Sequence, residues 1–120
     1  MSAHNELGTK GEILALEYLE RKGYSILEIN WHFEKTEVDI IAKDRNTIII
    51  VEVKTRTSNH FGQPEESVGK AKQEMLSIAA EEYLERKNLD LDVRFDIVAV
   101  IFKNGESKVF HIEDAFFPFE

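Results

Sequence analysis

The chain has no cysteine among its 120 residues, which excludes disulfides and thiolate chemistry and fits a reducing compartment. It has no apolar run near the roughly 20 residues that a membrane helix needs; Ile97 to Phe102 is among the longest. The N-terminal stretch is punctuated by Glu6, Lys10, Glu12, Glu17 and Glu20, so it lacks the apolar core of a signal peptide. These absences predict a soluble, cytoplasmic protein with no cleaved leader and no membrane partner. Positive charge is also scarce, the net charge being -8, which by itself opposes electrostatic coating of nucleic acid. His4, His32, His60 and His111 show no spacing of a zinc site. Repeats, linkers and low-complexity segments are missing, so residues 1–120 are read as one domain, long enough to bury a core without staples.

What is present is a regular alternation of periodic segments. Residues from about Asn5 to Lys22 read as a helix, with Glu12, Ala15, Leu16 and Leu19 on one stripe and Gly23 placed to end it. YSILEINW follows as a strand in which Leu27, Ile29 and Trp31 share a face, then the polar connection HFEKT. EVDIIA and TIIIVEVK read as an antiparallel hairpin across Lys43 to Asn46, apolar enough to be covered on both faces. After the loop TRTSNHFGQP, a second helix is predicted from near Glu65 to Lys87. VRFDIVAVIF and SKVFHIE close the chain as a hairpin whose Asn104-Gly105 pair suits a tight turn, with FFPF beyond it as a packed or partner-facing end. The expected fold is α/β, a central mixed sheet flanked by helices in the order α-β-β-β-α-β-β.

The segment IIIVEVKTR, Ile48 to Arg56, ends its most apolar stretch with two charges. Side chains alternate along a strand, so Glu52 and Lys54 share a face and Val51 and Val53 take the other. On a hairpin Asp39 would neighbour this pair. Two carboxylates that close repel unless a cation lies between them. Oxygen ligands select a hard cation, Mg²⁺ or Mn²⁺. Lys54 could then hold the attacking water or neutralise charge on a phosphate, and Glu12, on the core-facing stripe of the first helix, can approach the same place. Such groups suit metal-assisted hydrolysis of a phosphodiester. The bland alternative is a solvated ion pair at a strand end, worth about 0–1 kcal/mol, but Asp39 lies amid Val38, Ile40 and Ile41, where an unpartnered carboxylate would be costly.

The order Glu12, Asp39, Glu52-Val53-Lys54 resembles the PD-(D/E)xK nuclease superfamily, and within it archaeal Holliday junction resolvases. GEILALEYLERKGYSILEINW, TEVDIIA, IIIVEVKTR, FGQPEESVGKAKQ and RFDIVAV together are most similar to the uncharacterised bacterial YraN family. This resemblance implies a restriction-endonuclease-like fold in which Asp39, Glu52 and the Val53 carbonyl bind Mg²⁺ or Mn²⁺. Lys54 would assist the nucleophilic water and Glu12 would complete the acidic cluster. The chain departs from the pattern at Thr36, where a glycine is usual, and at His32, where an arginine often follows Asn-Trp, making any phosphate contact there weaker and pH-dependent.

Arg56, Lys70 and Lys72 are the candidates for phosphate contacts, and they make Lys54 to Lys72 locally basic against Glu65 and Glu66. Arg94 and Asp96 share a strand face and are read as a pair supporting the site. The 12 aromatic residues are core before they are stacking platforms; Trp31 is the candidate for stacking. Three functions stay open: a Mg²⁺- or Mn²⁺-dependent endonuclease acting on DNA, including branched intermediates; a catalytically silent nucleic-acid-binding module; and an acidic protein-interaction domain. A homodimer is a further expectation, since symmetry would pair two sites.

Overall fold

A computed structural model describes residues 6–57 and 68–118. Helix α1 runs Glu6–Arg21, strands β1 to β3 span Ser25–Phe33, Thr36–Asp44 and Thr47–Arg56, helix α2 spans Lys70–Arg86, and strands β4 and β5 span Asp92–Lys103 and Glu106–Ile112. This is the expected order α-β-β-β-α-β-β, and the five strands form one mixed sheet in sequence order. Neighbours pair antiparallel except β3 and β4, which run parallel and are joined through α2, as a parallel pair requires.

Each helix covers one face of the sheet. Ala15 and Leu19 of α1 pack with Ile40, Ala42, Ile49, Val51, Val98 and Val100, while Leu76, Ala79, Ala80 and Tyr83 of α2 pack with Val38, Ile41, Ile48, Ile50, Phe95 and Ile97. Ile48 to Val51 are at most 1% exposed. That explains their unbroken apolar run, because a strand covered on both faces has no solvated side to alternate with. Each such side chain contributes up to about 1.5–3 kcal/mol.

The ends of the elements follow local chemistry. Gly23 takes φ 99°, and the N–H groups of Gly23 and Tyr24 donate to the carbonyls of Glu20 and Leu19, closing α1 in a Schellman motif. Asn104 and Gly105 both have positive φ, 54° and 76°, the signature of a type I′ hairpin turn. The predicted tetrad between β2 and β3 shortens to Arg45 and Asn46, since both strands run further than their apolar cores.

Two expectations need correction and a third, the packed tail, is met at Phe116. Helix α2 begins at Lys70, behind an extended Gly69; the part of the prediction from 65 to 67 lies outside the described residues. In β1 the buried face is not Leu27, Ile29 and Trp31. Leu27 is bulged out of register between Ile26 and Glu28, and Leu27 and Ile29 are exposed. Asn30, at φ 52°, then lets the strand change faces, because a left-handed residue breaks the two-residue alternation. Of the FFPF tail, Phe116 stacks on Phe95 at 5.4 Å while Phe117 is exposed; Phe119 lies outside the described residues.

Candidate metal and phosphodiester site

The ladder between β1 and β2 pairs Ile29 with Ile40 and then Trp31 with Val38, passing over Asn30 and Asp39. On either side of Asp39 the strand changes partners: Val38 packs on the α2 side and Ile40 on the α1 side. Asp39 therefore stands at the break. Across the hairpin Ile40 pairs with Val51, and beyond that pair the Asp39 Oδ2 accepts the Val53 N–H at 2.8 Å. A backbone donor that would otherwise continue the ladder holds the carboxylate instead.

Glu52 points to the α2 side and is 4% exposed. Its Oε2 receives the ammonium of Lys72, from the first turn of α2, and lies 3.5 Å from Lys54 Nζ. Its Oε1 is buried with no hydrogen-bond partner. An unpartnered buried carboxylate oxygen is costly, and Glu52 is among the residues that line a cleft. Burial pushes the Asp39 carboxyl up to about 7, the nearby Glu52 and then Glu12 charges add to the rise, and the Val53 N–H and Lys72 pull the other way.

These groups meet at a cleft of about 860 Å³ whose walls include Glu12, Asp39, Glu52, Val53, Thr55, Lys72 and Met75. Glu12 reaches it because α1 lies very close to β3 there. A Cβ on Gly11 would stand 2.1 Å from Thr55 Oγ1 and 3.1 Å from Thr55 Cβ. Only glycine permits that approach. The β1–β2 hairpin adds His32, Glu34, Lys35, Thr36 and Glu37 to the rim.

Of the residues singled out in the sequence, the fold brings together Glu12, Asp39, Glu52 and Val53, with Lys54 against Glu52. Lys54 does not line the cleft, whereas Lys72, read earlier as a phosphate contact, both lines it and pairs with Glu52. Its place four residues or so before an apolar α2 stripe carries no signal of that pairing. Lys70 is exposed, and neither it nor Arg56 lines the cleft; Arg56 donates to the Thr55 carbonyl at 3.0 Å. Among the described residues no three His, Asp or Glu side chains could enclose a metal ion by themselves. The Asp39 and Glu52 carboxylates line the cleft, and together with the Val53 carbonyl that the resemblance implies they would make an all-oxygen set that fits Mg²⁺ or Mn²⁺ with water completing the shell. The free Glu52 Oε1 agrees with that fit.

Two supporting roles are not where the sequence put them. Arg94 and Asp96 lie on the α1 side, Asp96 pairing with Val51, so they do not support Glu52. Asp96 is fully buried and takes Arg94 Nε and Nη2 at 2.9 and 2.8 Å, His111 Nε2 at 2.7 Å and the Asp114 N–H at 3.0 Å. Burial pushes its carboxyl up, but the His111, Arg94 and Asp114 hydrogen bonds outweigh this and leave it lowered. Lys22 Nζ lies 3.0 Å from His111 Nδ1 on the other side of the ring. The cluster ties the end of α1 to β4 and β5. Trp31, in turn, forms a T-shaped contact with Tyr83 at 5.3 Å and has Arg86 over its ring at 5.8 Å, so it is engaged by α2.

Comparison with known proteins matches residues 11–100 to the model of a family described as Uncharacterised protein family UPF0102. A UPF0102 protein of Flavobacterium psychrophilum is 52% identical over 119 residues, covering 99% of this chain and 100% of its own. One from Geobacter metallireducens is 47% identical, covering 97% of each. Among solved structures, that of SSO0001 aligns with 95% of this chain and 55% of its own, at 20% identity and a TM-score of 0.36, a likeness on which nothing below rests.

Proposed function

We propose that this chain, which belongs to the uncharacterised protein family UPF0102, is a Mg²⁺- or Mn²⁺-dependent nuclease that hydrolyses phosphodiester bonds of DNA. The family is the one its ordered motifs resembled. What supports the reading above all is the buried, unpartnered Glu52 Oε1 beside the Asp39 carboxylate, at the floor of a cleft wide enough for a nucleotide.

Asp39, Glu52 and the Val53 carbonyl would hold the cation, which when bound offsets phosphate charge and acidifies a water. The chain's own groups do the rest. The Val53 N–H fixes the Asp39 rotamer. Lys54 and Lys72 both meet Glu52 at Oε2, leaving Oε1 without a partner, and either ammonium would serve to hydrogen-bond an incoming water or a phosphate oxygen. Glu12 stands on the opposite wall as an acceptor for a second water. Two ammonium groups on one carboxylate also favour a second reading, a nucleic-acid-binding module already neutralised without a cation.

Cleavage of single-stranded, duplex, flap and four-way DNA with Mn²⁺ or Mg²⁺ separates them. The nuclease reading expects cutting of at least one substrate, reduced about 10²- to 10³-fold in Asp39→Asn and Lys54→Ala. No cutting of any substrate, with Mn²⁺ affinity unchanged in Asp39→Asn, would sink it.

A further inference from the structure

On the α2 side, β3, β4 and β5 continue past the helix. Lys54 pairs with Ala99 and Arg56 with Ile101, and these pair in turn with Phe110 and Lys108, with Lys103 opposite Glu106. Cross-strand partners share a sheet face, so this row lies on the face to which Glu52 points. Ile101, Lys103, Glu106, Lys108 and Phe110 together line a hollow of about 350 Å³. Phe110 is 49% exposed. α2 packs over β1, β2 and the first half of β4, so among the described residues neither helix covers this part of the sheet.

The charge here reverses that of the molecule. The chain has 15 basic against 23 acidic residues, yet this face carries Lys54, Arg56, Lys103 and Lys108 against Glu52 and Glu106. None of Arg56, Lys103 and Lys108 is ion-paired with a described residue. An exposed aromatic ring among cations that have no ion pair with a described residue has a physical use when a ligand offers both phosphates and accessible base faces. A duplex offers only the first, because its bases are stacked on one another; a single strand offers both.

We propose that the open face of β3 to β5, with Phe110 as a base-stacking ring and Arg56, Lys103 and Lys108 as phosphate contacts, binds single-stranded nucleic acid. Strands lie about 4.8 Å apart, which puts Phe110 about 10 Å from Lys54 across the sheet. A strand stacked on Phe110 therefore runs toward Glu52. This deepens the nuclease reading and rests on it for that direction, naming its substrate as single-stranded or locally unpaired. A second copy of the chain paired along β5 is the competing occupant, but Glu106 and Lys108 place charges on that edge, which resists strand addition.

The test is fluorescence anisotropy in EDTA with labelled oligothymidylate, oligouridylate and a DNA duplex, so that binding is read without a cation at Asp39 and Glu52. Wild type is expected to prefer the single strands, the two oligomers deciding between DNA and RNA. Phe110→Ala should weaken that binding about tenfold. Lys103→Glu with Lys108→Glu should lower the salt slope by about 1.4. Both variants are expected to keep the unfolding midpoint, as substitutions at exposed positions do. The proposal is overturned by unchanged affinity in Phe110→Ala, by a preference for duplex, or by variants that alter only the mass seen in sedimentation, which would assign the face to a second copy. Strand binding lost in the variants of a protein that never cuts would keep this face and remove the nuclease reading. Cutting and binding unaffected in the variants would do the reverse.

Discussion

At Asp39 one backbone N–H holds a carboxylate that burial and two neighbouring carboxylates disfavour as an anion, so its pKa is raised to about 7. A carboxyl with a folded pKa above its unfolded value, about 3.9, stabilises the fold fully below the lower value, and that stability is lost as pH rises through the higher one. Without divalent cation the protein should therefore lose on the order of 3 kcal/mol between about pH 4 and 7. Asp39→Asn should flatten that part of the profile in thermal melts run in EDTA, and a profile unchanged by the substitution would reject the assignment. Lys72 acts on the same point from α2. Replacing it with methionine removes a cation from Glu52 while keeping much of its stem, so Mn²⁺ binding should tighten by about tenfold in calorimetry. Unaltered affinity would mean that Lys72 and the cation do not share the carboxylate. Neither the pairing of Lys72 with Glu52 nor the unpartnered Glu52 Oε1 was legible in the sequence, because α2 and β3 are separated by a connection and no periodicity encodes which lysine meets which strand.

Helix α1 reaches the site through Gly11, and its distance from β3 is set there. Gly11→Ala would force Cβ against Thr55, a β-branched residue whose every rotamer keeps a heavy atom close. It should cost about 1–3 kcal/mol and draw Glu12 away from the cleft, so cleavage should fall further than stability does. Equal losses, or none, would place Glu12 outside the chemistry. The other end of α1 is held by the Asp96 cluster. Breaking a buried pair by removing one partner costs about 3–5 kcal/mol, and Asp96→Asn should do so in urea denaturation. Since the Asp96 carboxyl is lowered in the fold, its contribution is present above the unfolded value and lost as pH falls through the folded one. It thus fails below about pH 4, outside the window assigned to Asp39. At this scale the helices and hairpins were legible, because Gly23 and Asn104-Gly105 announce their own backbone conformations. The buried face of β1 was not. A bulge at Leu27 and a left-handed Asn30 shift every side chain after them, and alternation read along a strand assumes that neither occurs.

Across the whole molecule, β3 lies at the centre of the sheet with both faces covered, and the fold's most protected backbone should be there. Native-state hydrogen exchange is expected to be slowest for the amides of Ile48 to Val51 and much faster along β1 and β5, which each have a free edge. Slow exchange at β5 would instead indicate that its edge is covered in solution. The net charge of -8, which counted against a nucleic-acid partner in the sequence, is an average over a surface that is not uniform. Acid gathers at the cleft, where a divalent cation would answer it, and base gathers on the open face of β3 to β5.

From its sequence alone this chain determined the order of its elements, the strand buried on both faces and the set Glu12, Asp39, Glu52 and Lys54, because hydrophobic period, turn residues and charges set into apolar strands are local signals. Only the tertiary structure decided that Asp39 stands at a break in β2, that Lys72 joins Glu52, that Arg94 and Asp96 face away from the site, and that neither helix covers the far end of β3 to β5 among the described residues. Each of these depends on pairing register or on which helix covers which strand, and such choices are made by packing between segments far apart in the chain.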